Sequence, residues 1–77
     1  MIQLYYFASL REKTGKQSEE IPFQSLTVQE ALNWLHNSYP TISTKHLMVA
    51  INEEYATKQE MIQQGDTVAF IPPVSGG

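Results

Sequence analysis

The sequence predicts an α+β protein in which a mixed sheet of about five strands packs against one main helix. Three observations support this class. Short apolar runs rich in β-branched and aromatic residues recur along the chain, as is typical of strands. One longer segment has apolar residues at helical spacing. A capping motif precedes that segment, so a single amphipathic helix is available to cover one face of the sheet.

The N-terminal third predicts two strands that pair as a hairpin-like unit. Residues 2–8 alternate well enough to form the first strand. Its inward face consists of Ile2, Leu4 and Tyr6. A helical turn over 9–14 and a bend at Gly15 follow, and residues 16–23 form a more polar second strand with Ile21 and Phe23 facing inward.

The main helix begins at the clearest local signal in the chain. Thr27 and Glu30 are spaced as a capping box, in which each side chain satisfies a free backbone amide at a helix start. Pro40 prevents the helix from continuing far past Ser38. One apolar stripe runs along the helix through Val28, Ala31, Leu32, Leu35 and Tyr39.

The C-terminal half predicts three more strands. Residues 47–51 are a compact apolar run, and a minor strand follows at 55–57. A turn at 64–66 leads into the last strand, 67–71, which the prolines at 72–73 end because proline donates no ladder hydrogen bond. The order of strand, strand, helix, strand, short strand and strand is that of the β-grasp, or ubiquitin-like, roll.

Composition restricts the classes of protein that fit. A chain of 77 residues has room for one domain, predicted here at 1–71 with an extended tail at 72–77. It contains no cysteine, so packing alone must hold the fold, and a reducing cytoplasm is the expected compartment. The net charge of −3 argues against nucleic acid as a partner, and no apolar stretch predicts a membrane segment.

No group of side chains predicts an active site within the chain. There is no cysteine nucleophile, glycine-rich phosphate loop or metal-ligand spacing. We assign no role to His36 or His46. The acidic residues are expected to be solvated and at most to help dock a basic partner. This expectation covers Glu12, Glu19, Glu20, Glu53, Glu54 and Glu60.

The exceptional feature is the end of the sequence, where Gly76 and Gly77 follow the two prolines and a short link. Terminal glycines can simply be disordered. After the last strand of a β-grasp roll, however, they form a thread without side chains that can enter a narrow active site. Residues 72–77 extend at most roughly 20 Å, enough to carry the Gly77 carboxylate into another protein. Activation with ATP and displacement of AMP by sulfur would convert that carboxylate to a thiocarboxylate.

Residues 68–77, Val-Ala-Phe-Ile-Pro-Pro-Val-Ser-Gly-Gly, resemble the C-terminal signature of molybdopterin synthase small subunits. Residues 7–15 resemble the N-terminal motif of the same family, and 49–55 together with 65–66 fall where that family has its central strand and penultimate turn. The resemblance therefore covers nearly the whole chain.

The resemblance implies a sulfur carrier that binds no cofactor itself. A ubiquitin-activating-type adenylyltransferase would use ATP to adenylate Gly77, which then becomes a 1-thioglycine thiocarboxylate. The tail would enter the large synthase subunit and donate sulfur to cyclic pyranopterin monophosphate, building the molybdopterin dithiolene in two transfers. The working assembly would be a heterotetramer, with the catalytic residues on the large subunit.

The family also implies a docking surface on an apolar sheet face. By position, its members are Phe7, Tyr55 and Ile71, with Arg11 as a polar contact. The tail contributes Pro72, Pro73, Val74 and Ser75. If Leu4, Tyr6, Val68 and Phe70 face the helix, strand alternation independently places Phe7 and Ile71 on the opposite or edge side. The alternative is that these side chains close a second, minor core.

Three other functions fit the same features. A thiamine-type sulfur carrier shares the fold and the diglycine end but usually lacks the double proline. A ubiquitin-like modifier would join Gly77 to a lysine as an amide. A plain binding module with a frayed end would function without Gly77.

Overall fold

A computed structural model describes residues 1–73 and shows the predicted strands and helices in the predicted order, together with one strand pair that was not predicted. Within this range there are seven strands and two helices. They are β1 (Ile2–Tyr6), α1 (Ser9–Thr14), β2 (Ser18–Ile21), β3 (Ser25–Thr27), α2 (Val28–Ser38), β4 (Met48–Ile51), β5 (Glu54–Tyr55), β6 (Met61–Gln63) and β7 (Thr67–Ile71). Neither helix of residues 1–73 is long and apolar enough to cross a membrane.

The main sheet is mixed, as predicted. In the described chain it has five strands in the order β2-β1-β7-β4-β5. The first and last strands of the chain, β1 and β7, lie side by side in parallel, and the other three pairs are antiparallel. Because β1 and β7 run parallel in the middle of the sheet, the end of β1 at Tyr6 lies beside the end of β7, where the predicted tail begins.

Helix α2 forms where the capping box predicted it. The Glu30 amide donates to Thr27 Oγ1 at 3.1 Å, and the Thr27 amide donates to Glu30 Oε1 at 2.8 Å. The helix ends at Ser38, two residues before Pro40. The four buried residues of its stripe are Val28, Ala31, Leu32 and Leu35. Tyr39, predicted to continue the stripe, is the half-buried C-cap.

The core lies between α2 and one face of the main sheet. The sheet contributes alternate residues, which the period of two in a strand predicts. The fully buried members on the two central strands are Ile2, Leu4, Tyr6, Val68 and Phe70. The Tyr6 and Phe70 rings lie nearly parallel, with centroids 6.1 Å apart. This packing commits one face of the sheet to the helix and leaves the other face open.

Several observed strands are shorter than predicted. The first strand stops at Tyr6 and the second stops before Pro22, whose missing N–H cannot extend the ladder. The minor strand is Glu54–Tyr55, shifted one residue earlier than predicted. The antiparallel pair β3–β6 was not predicted at all. Each of its strands has three residues, too few to show periodicity.

Candidate docking face and tail base

The face of the main sheet opposite α2 carries a continuous apolar surface. The register sets Tyr5 beside Ala69, Ala69 opposite Ala50, and Ala50 opposite Tyr55. A second row begins where Met48 pairs with Ile71. Paired residues share a face, so these side chains lie together. We call the surface formed by these two rows, with Phe7 at its edge, the docking face.

The large aromatic side chains of the docking face are exposed, whereas Ala50 beneath them is buried. Phe7 is 40% exposed, Tyr5 is 42% exposed and Tyr55 is 68% exposed, whereas Ile71 is half-buried. The exposure of Phe7 and Tyr55 goes against the alternative of a second core. A cluster of exposed large apolar side chains on one sheet face is typical of a protein interface. Participation of Phe7, Tyr55 and Ile71 in such an interface stays a prediction.

Sequence reasoning missed part of the docking face. Tyr5 and Ala69 occupy its centre, and exposed Met48 borders it, yet none was singled out. The signal was present, because Tyr5 alternates with the inward residues Leu4 and Tyr6. What the strand pattern did not contain was which strands are neighbours.

Arg11 is held at the edge of the docking face by two contacts. Its Nε donates to the Tyr6 carbonyl at 3.0 Å, and its guanidinium carbon lies 5.7 Å from the centroid of the Phe7 ring. The second contact has cation–π geometry. Between strand and helix, Ala8 has φ 51° and ψ −128°, a conformation that is costly for a residue with a Cβ. This turn places Phe7 and Arg11 side by side.

The described base of the predicted tail, at residues 72–73, lies next to the docking face. β7 ends at Ile71, Pro72 is half-buried and Pro73 is exposed. Both prolines border a cavity of about 240 Å³ that Lys13 and His46 also line. Val74, Ser75, Gly76 and Gly77 lie outside the described residues, so every prediction about the diglycine end stays a prediction.

The prediction that the acidic residues are solvated is wrong for Glu19, whose carboxylate is held by three other side chains. Its Oε2 accepts hydrogen bonds from the Tyr6 hydroxyl and, at 2.8 Å, from the Tyr39 hydroxyl, while Oε1 pairs with Lys16 Nζ at 3.1 Å. Burial by itself raises the pKa of this carboxyl, but the bonds from Tyr6, Tyr39 and Lys16 outweigh burial and hold the pKa below its ordinary value. This cluster lies on the helix side of the sheet, where it links β1, β2 and the end of α2.

The tyrosine at the centre of this cluster is shifted in the opposite sense. Burial, followed by the hydrogen bond and charge of Glu19, raises the pKa of the Tyr6 phenol far above its ordinary value. Tyr6 therefore remains a neutral hydrogen-bond donor. The cluster is a partly buried structural link and is separate from the docking face.

Comparison with known proteins places the chain in a family. A sequence model of the ThiS family matches residues 4–77, nearly the whole chain. This chain belongs to the ThiS family. The match includes both the docking face and the tail.

Curated relatives of this ThiS-family chain carry a more specific name. The molybdopterin synthase sulfur carrier subunit of Aspergillus niger is 43% identical, and the alignment covers 97% of this chain and 92% of the relative. The protein of the same name from Arabidopsis thaliana is 35% identical, with 99% and 82% covered. These full-length similarities confirm the resemblance predicted from the two terminal motifs.

Solved structures confirm the β-grasp fold of the ThiS-family chain. SAMP1 from Haloferax volcanii has a TM-score of 0.81 at 30% identity, with 99% of this chain and 98% of that chain covered. Another crystal structure, of the small archaeal modifier protein 1 of the same organism, has a TM-score of 0.81 at 27% identity, with 95% and 97% covered. The name of this second structure indicates a second candidate function, that of a protein modifier.

Proposed function

We propose that this chain is the sulfur carrier subunit of a molybdopterin synthase. The observation that carries this proposal is its full-length similarity to relatives of that name. The geometry agrees with it. An exposed apolar face adjoins Ile71 and Pro72, where the tail begins, so one docking event can seat the domain and direct the tail into a partner's pocket.

The proposed chemistry takes place at the carboxylate of Gly77. A carboxylate oxygen attacks the α-phosphorus of ATP on a ubiquitin-activating-type adenylyltransferase, and pyrophosphate leaves. A sulfur nucleophile at the oxidation level of hydrosulfide then attacks the carbonyl carbon and expels AMP, and loss of its proton leaves a C-terminal thiocarboxylate, or 1-thioglycine. Gly76 and Gly77 have no side chains, so the tail can lie in a narrow channel during both steps.

The proposed partner for sulfur transfer is the large subunit of the synthase. The thiocarboxylate sulfur forms a bond there to a carbon of cyclic pyranopterin monophosphate, and water cleaves the acyl–sulfur bond so that Gly77 returns to a carboxylate. Two such transfers form the molybdopterin dithiolene. We propose a heterotetramer of two small and two large subunits, with the catalytic residues on the large subunit and the assembly in the cytoplasm. Phe7, Arg11, Tyr55 and Ile71 would contact the partner.

Intact-mass measurement tests the proposal directly. The protein is incubated with the adenylyltransferase of its organism, ATP and a sulfur source, and then with the large subunit and the pterin precursor. We expect a mass gain equal to replacement of one oxygen by sulfur, reversed as molybdopterin forms. A variant that lacks Gly77 but keeps the whole folded domain is the matched control and should show no gain.

The outcomes separate the candidate functions. A thiocarboxylate that forms but does not turn over on the pterin would indicate another sulfur pathway, such as a thiamine-type carrier. No mass change with an active adenylyltransferase would contradict the carrier function altogether. A plain binding module would retain its function without Gly77.

A ubiquitin-like modifier is the second candidate, favoured by the similarity to small archaeal modifier protein 1. In that case Gly77 would form an amide with a lysine of another protein. Peptide mass spectrometry of digested cell extract would reveal a branched peptide joined through Gly77. Its absence, together with thiocarboxylate turnover on the pterin, would rule against the modifier function.

A further inference from the structure

We propose that the docking face contains a seat for one basic side chain of the large synthase subunit, with Glu53 as its counter-ion. The inference rests on the proposed function and adds the chemistry of the contact. Its occupant is a lysine or arginine side chain that lies across the sheet with its charged end at Glu53.

The seat is a depression of about 350 Å³ in the docking face. Its floor and walls combine two aromatic rings, small side chains, two hydroxyls and one carboxylate. The lining residues are Tyr5, Phe7, Ala50, Glu53, Thr67 and Ala69. The two alanines are paired across β4 and β7, so the floor is shallow and apolar. A long aliphatic stem can therefore lie on it with favourable burial.

Glu53 supplies the negative charge at one end of the depression. Its side chain is exposed and makes no hydrogen bond or ion pair with any residue from 1 to 73. The adjacent Glu54 does not share this position, because it pairs with Ile51 and lines a different cavity with Met61. The turn between β4 and β5 thus directs one carboxylate to the docking face and its neighbour away from it.

The combination of groups selects a cation over other occupants. A carboxylate beside an apolar floor favours a side chain with a long hydrocarbon stem and a positive end. An aromatic ring near that end adds cation–π attraction, and Tyr5 can provide it. A partner carboxylate would be repelled by Glu53, and a purely apolar side chain would leave that carboxylate desolvated without a partner.

Arg11 lies beside Phe7, at the end of the depression opposite Glu53. Its guanidinium covers Phe7, so a second cation is disfavoured at that end and the positive end of the occupant belongs at Glu53. The docking face therefore has a cationic edge near the tail base and an anionic edge at the β4–β5 turn. Such a pattern admits one orientation of the partner, the one in which the tail meets the pocket.

Binding measurements on the full chain with its organism's large subunit test the seat. The variants are Glu53→Gln, which keeps the side-chain shape and removes the charge, and Glu54→Gln as the matched control on the same turn. We expect Glu53→Gln to weaken binding about tenfold and to reduce its salt dependence. Glu54→Gln should stay within about twofold of the wild type. Unchanged thermal unfolding would show that all three proteins are folded.

Three results would overturn the inference. Equal affinities of wild type and Glu53→Gln would show that no cation sits at Glu53. Equal losses in the two variants would mean that general negative charge suffices without a seat. A wild-type chain that does not bind the large subunit would contradict the proposed function itself, and the seat with it.

Discussion

Replacement of Tyr6 by phenylalanine isolates one hydrogen bond to the half-buried Glu19 carboxylate. Tyr6 is 1% exposed, and its ring packs against Phe70 and edge-on against Tyr39. Phenylalanine keeps this ring packing and removes only the hydroxyl that donates to Glu19. The substitution leaves no buried donor without an acceptor, so the lost bond dominates the change in stability.

The expected loss follows from the bonds that remain. A hydrogen bond to a charged group contributes about 1.5–3 kcal/mol. Glu19 keeps the Tyr39 hydroxyl at 2.8 Å and Lys16 Nζ at 3.1 Å, so its charge is still compensated in the variant. We therefore expect the free energy of unfolding to fall by about 1.5–2 kcal/mol at neutral pH. In a domain of this size the unfolding midpoint would drop by roughly 10 °C.

The effect should depend on pH with a definite sign. The pKa of Glu19 is lower in the folded state than its ordinary value of 4.5. Its contribution to stability is therefore fully present above pH 4.5 and is lost as the pH falls through the folded-state pKa. Once Glu19 is protonated, Tyr6 bonds to a neutral group. The difference between wild type and variant should then shrink below about 1 kcal/mol.

Urea unfolding of wild type and variant, repeated from neutral pH down into the acid range, measures both quantities. Tyr5→Phe is the matched control, because Tyr5 lies on the same strand but faces the opposite side and is 42% exposed. Its stability should change by less than about 0.5 kcal/mol. A Tyr6→Phe loss of the same size at every pH would refute the reasoning, because the charge of Glu19 would then play no part.

Two further substitutions test local structure. Thr27→Ala removes the acceptor of the capping box and should lower the free energy of unfolding by about 1 kcal/mol; an unchanged urea midpoint would contradict the assigned helix start. Glu53→Gly should raise stability by about 1 kcal/mol, because Asn52 and Glu53 have φ angles of 50° and 72° in a two-residue hairpin turn that favours glycine. The same variant should bind the large subunit more weakly, so a gain in both stability and affinity would oppose the proposed seat.

Local signals predicted much of the fold because they act over a few residues. The capping box and Pro40 bracketed α2, and alternation identified the buried faces of β1 and β7. The pair β3–β6 escaped prediction because Leu26 and Ile62 are distant in sequence and each strand is too short to show a period. Glu19 was misjudged for a related reason, since Tyr39 reaches it only after α2 has packed on the sheet.

By itself the sequence determined the fold class, the family resemblance, the residues of the tail and part of the docking face. These follow from backbone preferences and from motifs read along the chain. Only the tertiary structure decided that β1 and β7 are neighbours, that Tyr5, Ala69, Ala50 and Tyr55 form one row, and that Glu53 rather than Glu54 borders it. The physical reason is that a strand's pattern encodes which side is buried but not which strand lies beside it. That choice depends on long-range pairing and on the packing of the whole core.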